Sequence, residues 1–223
     1  MGRRNGFFFW GLVCLFGTSM VARSSYAVDL ETLYQALKDS QSDYEGTFGT
    51  VCEDAAEYIY RNEIYPYADY HVISRVYYKE KGSPNRKGEL DLVIFKQGRV
   101  VEVVEVKCWD NLDAAHRKAS LQRDSFYTAL KTKDKHRFKS LDTFERAFLS
   151  EEIEPSVRFT TFSQTGGRRH GFDREMPFAL QDMKRLSERI IQCQKEGRCR
   201  AAQRVKKKDV KRRRAESAPA ILG

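Results

Sequence analysis

The spacing of hydrophobic and polar positions changes several times along the chain, and each change predicts a new element. The pattern predicts two helices, three strands, a long helix, a further strand and a closing helix, at residues 28–41, 47–65, 70–81, 89–95, 99–109, 112–130, 156–163 and 177–197. A polar loop with a short helix is expected at 131–152. This order predicts an α/β fold in which helices flank a mixed central sheet, with a C-terminal helix and an antiparallel meander of the first three strands.

Two terminal segments fall outside this pattern. Residues 1–27 combine Arg3 and Arg4, an apolar run and small residues before position 28, which is typical of a cleaved secretory signal. We therefore expect a secreted or periplasmic protein without stable membrane association after cleavage; an uncleaved membrane anchor is the alternative. Residues 200–223 are rich in Lys and Arg and predict a disordered basic tail. The folded domain is expected at 28–199.

The net charge of +9 belongs to these terminal segments. The signal contains three arginines and no acid, and the segment from Arg204 onward contains eight basic and two acidic residues. The remaining residues are close to neutral. Because the basic charge is concentrated in the tail, it indicates attraction to a polyanion rather than a property of the fold.

Four of the five cysteines remain once Cys14 is removed with the signal. An even number of cysteines in an oxidising compartment is typical of disulfides. Cys193 and Cys199 can close a small loop at the end of the last helix, which leaves Cys52 and Cys108 as the second pair. No CxxC spacing occurs, so a structural zinc site is not expected.

Charged residues interrupt the two apolar strands of the predicted hairpin. Glu105 and Lys107 share one face of their strand, and Glu89 and Asp91 share a face of the neighbouring strand. The hairpin can place Asp91 beside Glu105, with Lys107 next to both. Two carboxylates so close repel each other unless a cation neutralises them. Oxygen ligands with room for water suit Mg²⁺ or Mn²⁺, so this spacing predicts a divalent metal site.

Lys107 has a chemical task beside such a site. Its ammonium can orient or polarise the attacking water, or stabilise the charge that develops on a phosphate in the transition state. Two carboxylates, a lysine and a divalent ion together predict hydrolysis of a phosphodiester. Glu89 and Glu102 are not needed for this chemistry. We expect Glu89 to face solvent at the start of its strand, with a role as an accessory ligand as the alternative. Glu102, on the opposite face from Glu105, is expected to be exposed or paired.

The motif GELDLV, followed by VEVVEVK, resembles that of the PD-(D/E)xK nuclease superfamily. The resemblance covers residues 49–163 and is closest to the small bacterial branch that is similar to Holliday-junction resolvases, in which G-E-x-D-L precedes a strand ending in E-V-K. It implies a restriction-endonuclease-like core of order α-β-β-β-α-β. The proline of the motif name is absent, because Leu90 precedes Asp91.

The resemblance also implies roles for individual residues. Asp91 and Glu105 would bind the metal, and the main-chain carbonyl of Val106 would add a ligand. Lys107 would be the catalytic lysine. Proteins of the resolvase-like branch are often dimers, so a homodimer is a further expectation.

Two helices carry additional candidates under the same resemblance. The first helix of the core often bears a glutamate near the site; Glu53 occupies the expected place, and Glu57, one turn later, is the alternative. The helix after the E-x-K motif often bears a glutamine and an aromatic residue. Here Gln122 is followed by Phe126 or Tyr127, and the glutamine-to-tyrosine spacing differs from that of the family by one residue.

Contacts to nucleic acid are expected from two basic segments. Arg168 and Arg169 lie in a Gly-rich loop that suits phosphate groups. The tail adds residues that would bind a polyanion without sequence preference: Lys206, Lys207, Lys208, Arg212, Arg213 and Arg214. The expected function is an exported, metal-dependent nuclease that acts on DNA. The alternative is a catalytically silent module that binds nucleic acid on the same fold.

Overall fold

The computed structural model describes residues 26–40, 42, 44, 48–132, 136–140 and 146–199. The predicted signal, apart from Tyr26 and Ala27, and the predicted basic tail lie outside these ranges. No helix within the described ranges is long and apolar enough to cross a membrane.

The strands of the described residues form one mixed sheet, and the helices pack around it. In chain order they are α1 Leu30–Leu37, α2 Phe48–Ile59, β1 Tyr70–Glu80, β2 Gly88–Lys96, β3 Arg99–Lys107, α3 Leu112–Lys131, β4 His136–Ser140, β5 Arg146–Phe148, β6 Ile153–Ser163, β7 Arg174–Glu175 and α4 Leu180–Lys195. The π-helical turn Tyr60–Ile64 continues α2.

The strand order is β5-β4-β1-β2-β3-β6-β7. Neighbouring strands are antiparallel except at β3–β6 and β6–β7, where they are parallel. The predicted α/β class, mixed sheet, antiparallel meander and C-terminal helix are therefore confirmed.

The hairpin between β2 and β3 turns through two residues. Gln97 and Gly98 have φ of 50° and 79°. A positive φ at both central residues suits a two-residue turn between strands with right-handed twist. Val93 pairs with Val103 across the hairpin, so the apolar positions of the two strands are aligned and the predicted tight turn is confirmed.

Two hydrophobic cores lie on opposite faces of the sheet. The core under α1, α2 and α4 includes Leu33, Val51, Ile59, Leu92, Val104 and Ile190. The core under α3 includes Val76, Val93, Val103, Phe126, Phe138 and Phe159. Full burial of such a side chain stabilises the fold by about 1.5–3 kcal/mol. Because helices cover both faces, β2 and β3 have nearly continuous apolar runs rather than a strict alternation.

Strands β4 and β5 replace part of the polar loop and short helix expected from the sequence, and that expectation is wrong for these residues. Phe138 and Phe148 are buried, with ring centroids 4.5 Å apart. β4 also pairs with β1 and extends the sheet. Burial of two aromatic side chains outweighs the local polarity of the segment, because strand preference depends mainly on packing against neighbours.

Side chains stop alternating regularly between the two faces of the sheet at Arg75 on β1 and at Asp91 on the neighbouring strand β2. Leu92 packs in the core under α2, whereas Leu90, two residues away, packs in the core under α3. Arg75, on the adjacent strand, has φ of 53°, a conformation that bends and twists a strand locally. Asp91 therefore lies at an irregular position of the sheet, which sets the direction of its side chain.

Candidate active site

The predicted carboxylates and lysine converge at the open end of the β2–β3 hairpin. Strand pairing runs from the turn to Leu92 and Val104. Beyond that pair, Asp91 Oδ2 accepts a hydrogen bond from the backbone N–H of Val106 at 2.7 Å. The side chain of Asp91 therefore joins the two strands where their backbones no longer pair.

Lys107 Nζ contacts three oxygen groups at once. It donates a hydrogen bond to Glu105 Oε1 and another, of 3.0 Å, to the carbonyl oxygen of Val106. It also lies 3.8 Å from Asp91 Oδ2. These are the three groups expected to ligate a metal, so the ammonium supplies part of the positive charge that the carboxylates require.

The site is buried and contains more acid than base. Glu105 is 0% exposed and Asp91 is 7% exposed. Burial, and then the charge of Asp91, raises the pKa of Glu105 to about 8. Burial also raises the pKa of Asp91. For Lys107, burial alone would lower the pKa, but the carboxylates of Asp91 and Glu105 raise it above its ordinary value. The lysine therefore stays charged beside an excess of carboxylates.

Helix α2 brings a further carboxylate to this site. Burial, and then the charge of Asp91, raises the pKa of Glu53 to about 7. Glu57, the alternative, forms an ion pair with Arg61 at 2.6 Å and lines a separate polar cavity between α1, α2 and β1. Of the two helix glutamates, Glu53 is therefore the one that shares the electrostatic environment of Asp91.

Two other glutamates of the hairpin differ from their expected positions. Glu89 is half-buried rather than solvent-facing, and burial, followed by the charge of Asp91, raises its pKa. Glu102 is fully buried and pairs with Arg158 at 2.8 Å. It also accepts a hydrogen bond from the hydroxyl of Tyr65. Of the two expected states of Glu102, exposed or paired, the structure therefore shows the paired one, with the side chains of Tyr65 and Arg158 against it.

The donor set fits a small cation that prefers oxygen ligands. Glu105 Oε2 is buried and has no hydrogen-bond partner among the described residues. Burial is the largest cause of the raised pKa values of Glu53, Asp91 and Glu105, and a bound cation would favour their ionised forms. Within the described residues, no three His, Cys, Asp or Glu side chains are arranged to hold a metal ion. Ligation would therefore need the Val106 carbonyl and water beside the carboxylates of Asp91 and Glu105.

Arg75 is a charged neighbour of the site that sequence reasoning missed. Its guanidinium binds Asp54 at 2.9 Å and the hydroxyl of Ser42 at 2.8 Å. Its positive charge lowers the pKa values of Glu53 and Glu89, and so opposes part of the increase that burial and Asp91 cause. The alternating pattern of β1 does not single out this residue, because its left-handed backbone depends on the tertiary fold.

Arg168 and Arg169 lie at the same edge of the sheet as the site. They are exposed in the 3-10 turn Gly167–His170, which follows β6. β6 runs parallel to β3, with Ser163 opposite Lys107. Both exposed arginines therefore follow the strand end that lies beside Lys107.

The backbone of that loop is already engaged within the protein. The N–H groups of Gly166 and Arg168 both donate to Glu175 Oε2, at 3.0 and 3.1 Å. Such paired N–H groups form an anion-binding concavity, and here a carboxylate occupies it. Contacts from this loop to a phosphate would therefore come from the arginine side chains.

The two candidates on α3 lie in different surroundings. Gln122 is half-buried, and its Oε1 is buried without a hydrogen-bond partner among the residues that the structure describes. Tyr127 is 37% exposed and packs near Phe159, with ring centroids 6.4 Å apart. Phe159 pairs with Val103, four residues before Lys107. Tyr127 is therefore not brought to the Lys107 end of the strand. Phe126, the other aromatic candidate, is fully buried in the core under α3.

The remaining candidates are the cysteines and the tail. Cys52 and Cys108 lie at disulfide distance, with Cα atoms 6.3 Å apart, and so do Cys193 and Cys199, with Cα atoms 5.3 Å apart. The tail residues lie outside the described part of the chain: Lys206, Lys207, Lys208, Arg212, Arg213 and Arg214.

Comparisons of the chain with models of known protein families, with curated proteins and with solved structures find no match. A function for this chain must therefore be inferred from the residues of the site and their geometry.

Proposed function

We propose that the chain is an exported nuclease that hydrolyses phosphodiester bonds, with DNA as its substrate and Mg²⁺ or Mn²⁺ as its cofactor. The observation that carries this proposal is the buried group of Asp91, Glu105 and Lys107, in which acid exceeds base and Glu105 Oε2 has no hydrogen-bond partner among the described residues. Buried negative charge without compensation is unfavourable. A bound divalent cation would remove that penalty.

The order of elements supports a finer assignment of the fold. α2, the meander β1–β3, α3 and then β6 parallel to β3 follow the order α-β-β-β-α-β of a restriction-endonuclease-like core. β4 and β5 extend the sheet on the far side of β1 and would be additions to that core. Under this proposal the chain is a member of the PD-(D/E)xK superfamily, in its resolvase-like branch.

Each residue of the site then has a role. A divalent cation, when bound, supplies Lewis acidity toward the phosphate and its water. Asp91 and Glu105, with the Val106 carbonyl, would hold it. Lys107 would release its contacts with these oxygens and place its charge beside the phosphate. Because its pKa is raised, Lys107 is suited to stabilising negative charge rather than to removing a proton. Glu53 would accept hydrogen bonds from water at the site.

Cleavage assays on circular, linear and single-stranded DNA and on RNA, with Mg²⁺, Mn²⁺ or EDTA, test the proposal. We expect cleavage that requires the metal and falls roughly 10²–10³-fold in Lys107→Ala, the loss typical for one group that stabilises transition-state charge. Lys87→Ala is the matched control, because Lys87 is exposed and pairs at the surface with Glu80 at 3.2 Å. Full activity in excess EDTA, or a wild-type rate in Lys107→Ala, would overturn the proposal.

One observation favours a second candidate, a catalytically silent nucleic-acid-binding module. Lys107 already pairs with Asp91 and Glu105, and a buried ion pair can be purely structural. Gel-shift binding and plasmid degradation, measured on one sample with and without Mg²⁺, separate the two functions. Binding without cleavage of any substrate would favour the silent module.

A further inference from the structure

The Cys52–Cys108 disulfide joins the two elements that carry the site. Cys52 immediately precedes Glu53 on α2, and Cys108 immediately follows Lys107 at the end of β3. The two cysteines are 56 residues apart in sequence. The cross-link therefore ties the helix position next to Glu53 to the strand position next to Lys107.

Both cysteines are embedded in the core under α1, α2 and α4, at 2% and 7% exposure. Breaking the bond converts a covalent contact between two sulfur atoms into a non-bonded contact, which requires a greater separation. In a close-packed interior that greater separation displaces the groups packed around the two sulfur atoms. Glu53 and Lys107 are the adjacent residues, so they move with these groups.

Other contacts keep α2 docked when the bond is open. Val51, Ala55 and Ile59 are fully buried against the sheet on the same helix. Loss of the cross-link should therefore shift the N-terminal half of α2 without unfolding the domain.

The second disulfide does not join elements that carry the candidate site. Cys193 and Cys199 are six residues apart at the end of α4. The backbone N–H groups of Arg198 and Cys199 both donate to the carbonyl of Cys193, at 3.1 and 3.3 Å, so local hydrogen bonds already hold this loop. No candidate site residue lies next to either cysteine in sequence, which makes this pair a matched control.

We infer that the Cys52–Cys108 disulfide is a redox switch of the candidate active site, positioning Glu53 against Asp91 and Lys107 when oxidised and releasing it when reduced. This inference rests on the proposed nuclease function. A dithiol reductant donates two electrons and two protons, the S–S bond breaks, two thiols form and the reductant becomes a disulfide. Reducing conditions inside a cell would keep the nuclease weakly active there, and an oxidising compartment would activate it.

The test uses the double variant C193S/C199S, in which Cys52–Cys108 is the only disulfide of the domain. Plasmid cleavage is measured across a series of ratios of reduced to oxidised dithiothreitol. We expect the reduced form to cleave about tenfold or more slowly, since a displacement of about 1 Å can reduce turnover by that much. We also expect it to need more Mg²⁺ for half-maximal activity, and reoxidation to restore both values. The double variant C52S/C108S should show the low rate at every ratio.

A second readout does not depend on activity. Trp109 follows Cys108 directly. The other tryptophan of the sequence, Trp10, lies in the predicted signal together with Cys14, so both would be removed with it. The fluorescence of Trp109 should change with the same midpoint as cleavage in the redox series. Far-UV circular dichroism should stay constant, because the domain remains folded.

The outcomes separate the two proposals. If oxidised C193S/C199S cleaves and its reduced form cleaves at the same rate, the switch is overturned and the nuclease function stands. Loss of helical signal on reduction would also overturn the switch, because the cysteines would then only stabilise the fold. If the oxidised wild-type protein cleaves no substrate with Mg²⁺ or Mn²⁺, the proposed function fails and the switch fails with it.

Discussion

Two glutamates three residues apart on β3, Glu102 and Glu105, are both completely buried but have opposite electrostatic surroundings. Glu102 pairs with Arg158 at 2.8 Å and lies 3.9 Å from Arg174. Glu105 contacts Lys107 and shares that one ammonium with Asp91. Cations are in excess around Glu102, and carboxylates are in excess around Glu105.

The comparison shows why burial alone does not identify a site. Each glutamate has one buried oxygen without a hydrogen-bond partner among the described residues, Oε1 of Glu102 and Oε2 of Glu105. Near Glu102 the compensating charge is already present in two arginines, so the group is suited to a structural role. Near Glu105 one ammonium faces two carboxyl groups, so ionisation of both leaves a net negative charge that an external cation would compensate. The two glutamates therefore differ in the sign of the net charge of the ionisable groups around them.

The largest expected difference between the two glutamates is in activity. Glu105→Gln should reduce cleavage roughly 10³-fold, because it removes a proposed metal ligand and its charge. Glu102→Gln should change cleavage less than about threefold, because no proposed catalytic group contacts its side chain. Initial rates of plasmid cleavage at saturating Mg²⁺ measure both. Equal losses in the two variants would contradict the assignment of separate roles.

The free energy of unfolding should show the opposite order, with the larger loss in Glu102→Gln. Glu102→Gln should destabilise the protein by about 1–2 kcal/mol, since it removes charged hydrogen bonds from the buried carboxylate, while Arg158, whose side chain is 61% exposed, stays solvated. Glu105→Gln should keep or increase stability in EDTA above about pH 8, where the Glu105 carboxyl is ionised, because it relieves repulsion with Asp91. Urea denaturation in EDTA provides the free energies of unfolding. A larger loss in Glu105→Gln than in Glu102→Gln would refute this account.

Variants of the two glutamates on α2 test which of them belongs to the acid-rich site. Glu53→Gln should slow cleavage about tenfold or more, as expected for a group that orients water and ligands without binding the phosphate. Glu57→Gln should have little effect, because its carboxylate pairs with Arg61 at 2.6 Å. Both variants change a glutamate on the same helix to its amide, so each is the control for the other. A larger loss in Glu57→Gln would assign the helix carboxylate to that residue instead.

A further expected effect is a dependence of stability on pH in the absence of metal. The pKa values of Glu53 and Glu105 are raised from 4.5 to about 7 and about 8. The folded protein therefore binds more protons than the unfolded chain above pH 4.5, so stability present at low pH is lost as the pH rises through 7 and 8. The melting temperature in EDTA should fall over this range by about 2–4 °C for each kcal/mol lost.

Matched samples isolate this effect from other titrating groups. Glu105→Gln in EDTA should lose less stability between pH 5 and pH 8 than the wild-type protein. Mg²⁺ should raise the melting temperature of the wild-type protein more at pH 8 than at pH 6, because ligation requires ionised carboxylates. Identical pH profiles for the two proteins would show that Glu105 is ionised normally in the folded state.

Local patterns account for the parts of the fold that sequence reasoning predicted well. The hairpin depends on apolar runs on both sides of a two-residue turn, and α3 was expected at 112–130 and spans Leu112–Lys131. Such features depend on neighbours within a few residues. β4 and β5 were not predicted because their stability depends on Phe138, Phe148 and pairing with β1, which are distant in sequence.

The side chains that can carry the chemistry are identifiable from the amino-acid sequence alone. Asp91, Glu105 and Lys107 were identified from their spacing on two strands joined by a short turn, where proximity is a local consequence of the backbone. The fold, in contrast, establishes that Glu53 rather than Glu57 accompanies them and that Glu102 is buried against arginines. Those outcomes depend on how helices and distant strands dock, and docking is determined by packing that no local pattern contains.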